Sequence, residues 1–187
     1  MTARVLVAED EAIIRLDLTE MLAEEGYEVV GETGRGDEVE ALVRRLQPDL
    51  VVMDVKMPGL DGLSAARAIT ADRLAAVVVL TAFSQRELIE TARDAGVMAY
   101  LVKPFQKHEL VAAIEVALAR HRELVALATE ADALGDQLVA RKLIERAKAR
   151  LISSGLTEPE AFRHIQRLAM DSRTSMRVVA EEILRSE

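Results

Sequence analysis

One pattern recurs five times in the first part of this chain and leaves little freedom in how it folds. A short apolar run is followed by a stretch in which apolar residues return every three or four positions. The runs are residues 5–8, 27–30, 50–53, 77–80 and 99–102. Between them, Ile13, Ile14, Leu18, Met21 and Leu22 predict one helix, and Val39, Leu42, Val43 and Leu46 a second. Leu63, Ala66 and Ile69 predict a third, and Leu88, Ile89 and Ala92 a fourth. Gly26, Pro48, Gly96 and the cluster Met57-Pro58-Gly59 punctuate the series. Strands this short and apolar are buried on both faces. With a helix between each pair they form a parallel sheet covered on both sides, a (βα)5 unit of α/β class. Aromatic residues make up only 3% of the chain, so Ala, Val and Leu fill the core.

Ligands of an open parallel sheet bind beyond the carboxyl ends of the strands, where the strand order reverses. Glu9-Asp10 closes the first run, Asp54 the third, Thr81 the fourth and Lys103-Pro104 the fifth. Each alone has an ordinary explanation: a solvated strand end, a turn cap, a helix-start neighbour, a surface lysine. Their joint placement is what carries meaning. Carboxylates held together repel until a proton or cation joins them. An all-oxygen set suits Mg²⁺. A carboxylate can also attack a phosphoryl group and form an aspartyl phosphate. Lys103 and the Thr81 hydroxyl would then stabilise charge on the transferred group. The chain has no Walker A sequence, and Gly31, Gly34 and Gly36 stand at the wrong offsets for a dinucleotide loop, so the phosphoryl donor comes from outside.

Strand signals stop after Phe105. Residues 107–153 read as nearly continuous helix, interrupted only by Gly135. Leu110, Ile114, Ala117, His121, Leu124, Ala128 and Ala131 follow a heptad-like spacing along it, a seam for a short dimeric coil. Two further helices follow. Thr157 caps the first, with Pro159 in its opening turn and Glu160 at capping-box spacing, and its apolar face is Ala161, Ile165, Leu168 and Ala169. The last carries Met176, Val179, Ala180, Ile183 and Leu184.

Charge divides the chain the same way. The net charge is −8, all of it within residues 1–120, while 137–177 hold nine basic against four acidic residues. A basic helical surface suits a phosphate backbone. Equally, its cations could simply keep a helix bundle soluble, with Phe162 in the core. Cysteine is absent, as in many chains of a reducing cytoplasm, the start lacks a leader-like run, and no apolar stretch is long enough for a membrane helix.

Residues 4–120 resemble the receiver domain of two-component response regulators. The matching pieces are Val7-Ala8-Glu9-Asp10-Glu11, the run from Met53 to Gly62, Leu80-Thr81-Ala82 and Tyr100-Leu101-Val102-Lys103-Pro104-Phe105. The resemblance implies a flavodoxin-like sheet of order 2-1-3-4-5. It implies that Asp54 takes a phosphoryl group from a sensor histidine kinase, with Mg²⁺ held by Glu9, Asp10, Asp54 and the Lys56 main-chain carbonyl. Glu9 departs from the usual Asp. Thr81 and Tyr100 match the family's switch pair, and Lys103-Pro104 is expected to be cis.

Residues 130–185 resemble the ANTAR module of transcription antitermination regulators, through Arg146-Ala147-Lys148, Glu160-Ala161-Phe162, Ala169-Met170-Asp171-Ser172-Arg173 and Val179-Ala180-Glu181. The whole resembles actinobacterial response regulators of that kind. This implies binding to RNA hairpins in nascent transcripts, with contacts at Lys148, Arg167, Ser172, Arg173 and Thr174. Gln166 departs from the usual basic residue. The expected organisation is a receiver over 1–120, a helical linker over 121–135 and a three-helix RNA-binding domain over 136–187. A phosphorylation-dependent homodimer, a cytoplasmic location and no enzymatic role beyond self-phosphorylation and slow self-hydrolysis follow from it. Two other readings stay open: a DNA-binding regulator, and a phosphorelay or protein-interaction switch whose tail only dimerises.

Overall fold

The computed structural model describes residues 2–82 and 86–185, with the side chains of 86–89 excluded. The expected core positions Leu88 and Ile89 therefore lie outside the described side chains. Strands and helices alternate as β1 (Arg4–Ala8), α1 (Ala12–Glu24), β2 (Glu28–Thr33), α2 (Gly36–Leu46), β3 (Leu50–Asp54), α3 (Gly62–Ala71), β4 (Ala76–Thr81), α4 (Arg86–Asp94) and β5 (Ala99–Val102). Three helices follow: α5 (Lys107–Ser153), α6 (Glu158–Asp171) and α7 (Met176–Arg185). The strands form one parallel sheet in the order β2-β1-β3-β4-β5, so the order reverses between β1 and β3.

Period-two alternation sorts the strand residues into two apolar layers. Val5, Val7, Leu50, Val52, Val78 and Leu80 face Leu18 and Leu22 of α1 and Leu110, Ile114 and Ala117 of α5. Leu6, Ala8, Val51, Met53, Val77 and Val79 face Val39, Val43, Leu63, Ala66, Ile69 and Ala92 on the other side. Each large aliphatic side chain buried this way contributes about 1.5–3 kcal/mol. β3 and β4 are buried along their whole length, which explains their unbroken apolar runs.

The chain divides into two compact units, Met1–Val125 and Ala126–Glu187. In the second, Ala147, Ile165, Ala169, Val179 and Ala180 form a small core, flanked by Leu143, Ile144, Leu151, Met176, Ile183 and Leu184. Alanines at three of the five central positions let the helices approach closely. The capping box forms as expected: the Thr157 N–H donates to Glu160 Oε2 at 2.9 Å.

Three sequence expectations differ from the structure. α5 passes through Gly135 without a break, and nothing within 4 Å would meet a Cβ there. Leu110, Ile114 and Ala117 are committed to the core of the first unit, so the first half of the proposed heptad seam packs on the sheet instead. Ile13, counted with the inner face of α1, is exposed, and Leu168 of α6 is partly so. Heptad and amphipathic spacing cannot by themselves say which partner a stripe meets.

Candidate functional site

The parallel register levels the strand ends. Ala8 pairs with Met53, Asp54 with Leu80, and Thr81 with Val102, so the residues that close these strands share one edge of the sheet. Glu9, Asp54 and Thr81 are buried there and Asp10 is exposed. Carboxylate oxygens of Glu9, Asp10 and Asp54 lie within 4.8 Å of one another. Lys103 Nζ reaches across and donates to Glu9 Oε2 at 2.6 Å and to Asp54 Oδ2 at 3.0 Å. Lys103-Pro104 is a cis peptide.

Burial raises the Glu9 carboxyl above its ordinary value, and the nearby charge of Asp54 adds to this, against the opposing bond and charge of Lys103. Burial works against the Lys103 ammonium, yet its bonds to Glu9 and Asp54 prevail and hold its proton more tightly than usual. One ammonium therefore bonds two of three clustered carboxyl groups. The unbalanced negative charge and the all-oxygen donor set fit a hard divalent cation.

Backbone bonds fix the pocket's walls. The Glu9 N–H donates to the Thr33 carbonyl at 2.9 Å, Val55 N–H to Leu80 at 3.0 Å, and Lys103 N–H to Thr81 at 2.7 Å. The loop after Asp54 is pinned twice: Gly62 N–H donates to the Val55 carbonyl at 2.8 Å and Gly36 N–H to the Pro58 carbonyl at 3.0 Å. A side chain at Gly62 would overlap the Asp54 carbonyl oxygen, and one at Gly36 the Leu60 carbonyl. These two close approaches are why both positions are glycine.

The structure brings Glu9, Asp10, Asp54 and Lys103 together, with Thr81 closing the adjacent strand. Lys56 follows Asp54 by two residues in the pinned loop and its side chain is exposed. Tyr100 stands on β5, 44% exposed. Sequence reasoning missed Arg15, the sole basic residue of α1. Its Nη1 donates to the Glu9 main-chain carbonyl at 2.5 Å, and its Nε lies 3.5 Å from Glu32. Arg15 gave no signal beyond being a lone cation in an acidic segment.

In the second unit, Arg167 is exposed on α6, and Ser172, Arg173 and Thr174 form the turn after it. The Ser172 hydroxyl donates to the Leu168 carbonyl, and the Thr174 N–H to Ala169 at 2.9 Å. Arg173 takes a left-handed backbone, φ 51°. Lys148, expected among the RNA contacts, is buried, and its Nζ bonds Glu158 at 2.9 Å and Glu145 at 3.2 Å. Those bonds raise its proton affinity. They make it a tie between α5 and α6. Phe162, by contrast, is 43% exposed and outside the core.

Residues 5–115 match the response regulator receiver domain family and residues 132–184 the ANTAR domain family. The chain thus belongs to the response regulators, as a two-component receiver joined to an ANTAR domain. It is 59% identical over 182 residues to the transcriptional regulatory protein PdtaR of Mycobacterium tuberculosis, covering 97% of this chain and 89% of that one. It is 36% identical over 115 residues to the chemotaxis protein CheY of Thermotoga maritima, covering 61% of this chain and 96% of that one. The signal receiver domain of the response regulator NarL from Mycobacterium tuberculosis shares the fold, with a TM-score of 0.60 and 26% identity over 63% of this chain and 97% of that one.

Proposed function

We propose that this chain is a phosphorylation-controlled RNA-binding antiterminator. A sensor histidine kinase donates a phosphoryl group to Asp54, and the phosphorylated chain binds hairpins in nascent transcripts. The convergence of Glu9, Asp10, Asp54 and Lys103 in one pocket supports this reading most strongly.

An Asp54 carboxylate oxygen attacks phosphorus, forming a P–O bond as the bond to the kinase histidine breaks. Glu9, Asp10, Asp54 and the Lys56 main-chain carbonyl are the groups that would hold Mg²⁺, which supplies neutralising charge for phosphoryl oxygens. Lys103 already touches Asp54 and is placed to follow the charge onto the phosphoryl group. The Thr81 hydroxyl donates to the same group, and Tyr100 turns inward behind it. That biases a two-state element over α4, β5 and α5.

In the tail we assign RNA contacts to Arg167, Ser172, Arg173 and Thr174, and a structural role to Lys148. The compact units and family matches support a receiver ending near residue 120, a helical linker and the ANTAR domain from about residue 136, a division of labour carried over from the sequence. We place the chain in the cytoplasm; no described helix is long and apolar enough to cross a membrane. A phosphorylation-dependent homodimer along the exposed part of α5 belongs to the same proposal.

The test has two arms. Parent and Asp54→Asn chains are incubated with labelled phosphodonor and Mg²⁺; acid-labile label on the parent alone supports the acceptor assignment, and retained label on the variant refutes it. Gel shifts with hairpin RNA and with duplex DNA then separate RNA from DNA recognition. Duplex DNA bound in preference would establish the DNA-binding alternative, and no binding to either would leave an interaction switch.

A further inference from the structure

The second unit has few ring side chains, and the largest is not in its core. Its central positions are Ala147, Ile165, Ala169, Val179 and Ala180. On α6 the buried face is Ala161, Ile165 and Ala169. At 100° per residue, Phe162, Gln166 and Met170 form the next strip around the helix, and Arg163 and Arg167 the strip beyond. Phe162 is 43% exposed and Met170 72%. The exposed part of an aromatic ring adds nothing to the fold of its own chain.

Charge beside this strip is mostly positive: Arg163 and Arg167 share their row with one acid, Asp171, a turn beyond Arg167. Of the acids at the start of α6, Glu158 pairs with Lys148, while Glu160 closes the helix cap and also feels the charge of Arg163. Among the described residues, neither Arg167 nor Arg173 forms an ion pair. A partly exposed ring with the Arg167 and Arg173 guanidinium groups nearby is complementary to a nucleic-acid strand with bases turned outward. Such a ring cannot enter the deep groove of an A-form stem, whereas unpaired loop bases stack on aromatic faces while cations hold the backbone.

We infer that Phe162 is a base-stacking platform for an unpaired loop nucleotide of the bound RNA, with Arg163 and Arg167 on the adjacent phosphates. The inference rests on the RNA-binding reading above and adds to it a contact the sequence comparison did not assign. Stacking tolerates any base, so Phe162 supplies affinity for unpaired loops over paired stems.

The experiment uses the full chain with Mg²⁺ and beryllofluoride as phosphoryl mimic. Hairpin RNAs with randomised loops are selected against it. The best binder is compared with the same stem closed by a polyethylene glycol tether in place of loop bases. Phe162→Tyr keeps the ring, Phe162→Leu keeps apolar bulk without it, and Phe162→Ala removes both. We expect Phe162→Tyr to bind like the parent, and Phe162→Leu and Phe162→Ala to lose about tenfold in affinity with the salt slope unchanged. All four chains should bind the tethered stem equally, and a fluorescent purine in the loop should be quenched by the parent and not by Phe162→Leu. Leucine binding as well as phenylalanine would overturn the platform. So would equal losses on the tethered stem, which signal a structural role, or loss of a dimer in sedimentation as the source of the effect. If the parent captures no hairpin in any state, the RNA reading itself fails and the platform with it.

Discussion

Arg173 occupies a backbone conformation better suited to glycine, at φ 51° in the turn after α6. A non-glycine residue there costs about 1 kcal/mol or more. That cost makes Arg173 a separating test. Arg173→Gly should stabilise the second unit by roughly 1 kcal/mol in thermal melts while weakening RNA binding, because the strain goes and the cation goes with it. A variant that loses stability and affinity together would make Arg173 a fold residue instead. At this scale the receiver pocket was legible and the tail only partly so. Glu9, Asp10, Asp54, Thr81 and Lys103 could be found because strand ends in a parallel sheet must converge. The pairing of Lys148 was not legible, since its partner Glu158 lies across the turn at Gly155 and no local pattern announces it. The sequence leaves Phe162 open between core and surface; an apolar residue beside a buried alanine, it is 43% exposed.

Elements make their own predictions, and two glycines illustrate them. Gly62 opens α3 against the Asp54 carbonyl, so Gly62→Ala should cost about 1–3 kcal/mol in urea unfolding and slow Asp54 phosphorylation. Gly135 stands in open helix, so Gly135→Ala should stabilise by about 0.5–1 kcal/mol and leave phosphorylation unchanged. The reverse ranking would contradict the geometry. Gly135 was read as a break because glycine weakens a helix, but one such residue in the 47 of α5 does not end it. Another link ties the entry to β2 to α5: the Tyr27 hydroxyl donates to Glu115 Oε1 at 2.8 Å. Burial, then the bond and charge of Glu115, push its phenol from 10.0 up to about 12. The folded chain keeps that proton between pH 10 and 12 while the unfolded chain loses it, so stability falls as pH rises through this window. Phenolate absorbance of the parent minus Tyr27→Phe should show a midpoint near 12. A midpoint at the ordinary phenol value would remove the link. Strand and helix periods were visible throughout; the partner of each stripe was not, which is why Leu110, Ile114 and Ala117 read equally as seam and as core.

The whole molecule is acidic where phosphoryl transfer is proposed and net basic where RNA is proposed to bind, a division that charge suggested and that only the motifs gave meaning. Residues 1–120 carry the entire net charge of −8. An acidic surface around Asp54 disfavours nucleic acid there and leaves the tail as the binding surface. The central claim couples the two: phosphoryl transfer to Asp54 changes RNA affinity in the tail. The direct measurement is hairpin RNA affinity of the full chain, with and without phosphodonor plus Mg²⁺, for the parent and for Asp54→Asn. The account predicts that donor and Mg²⁺ together tighten binding by the parent and leave Asp54→Asn unmoved. An equal response from both chains, or a labelled parent whose RNA affinity does not change, would contradict it.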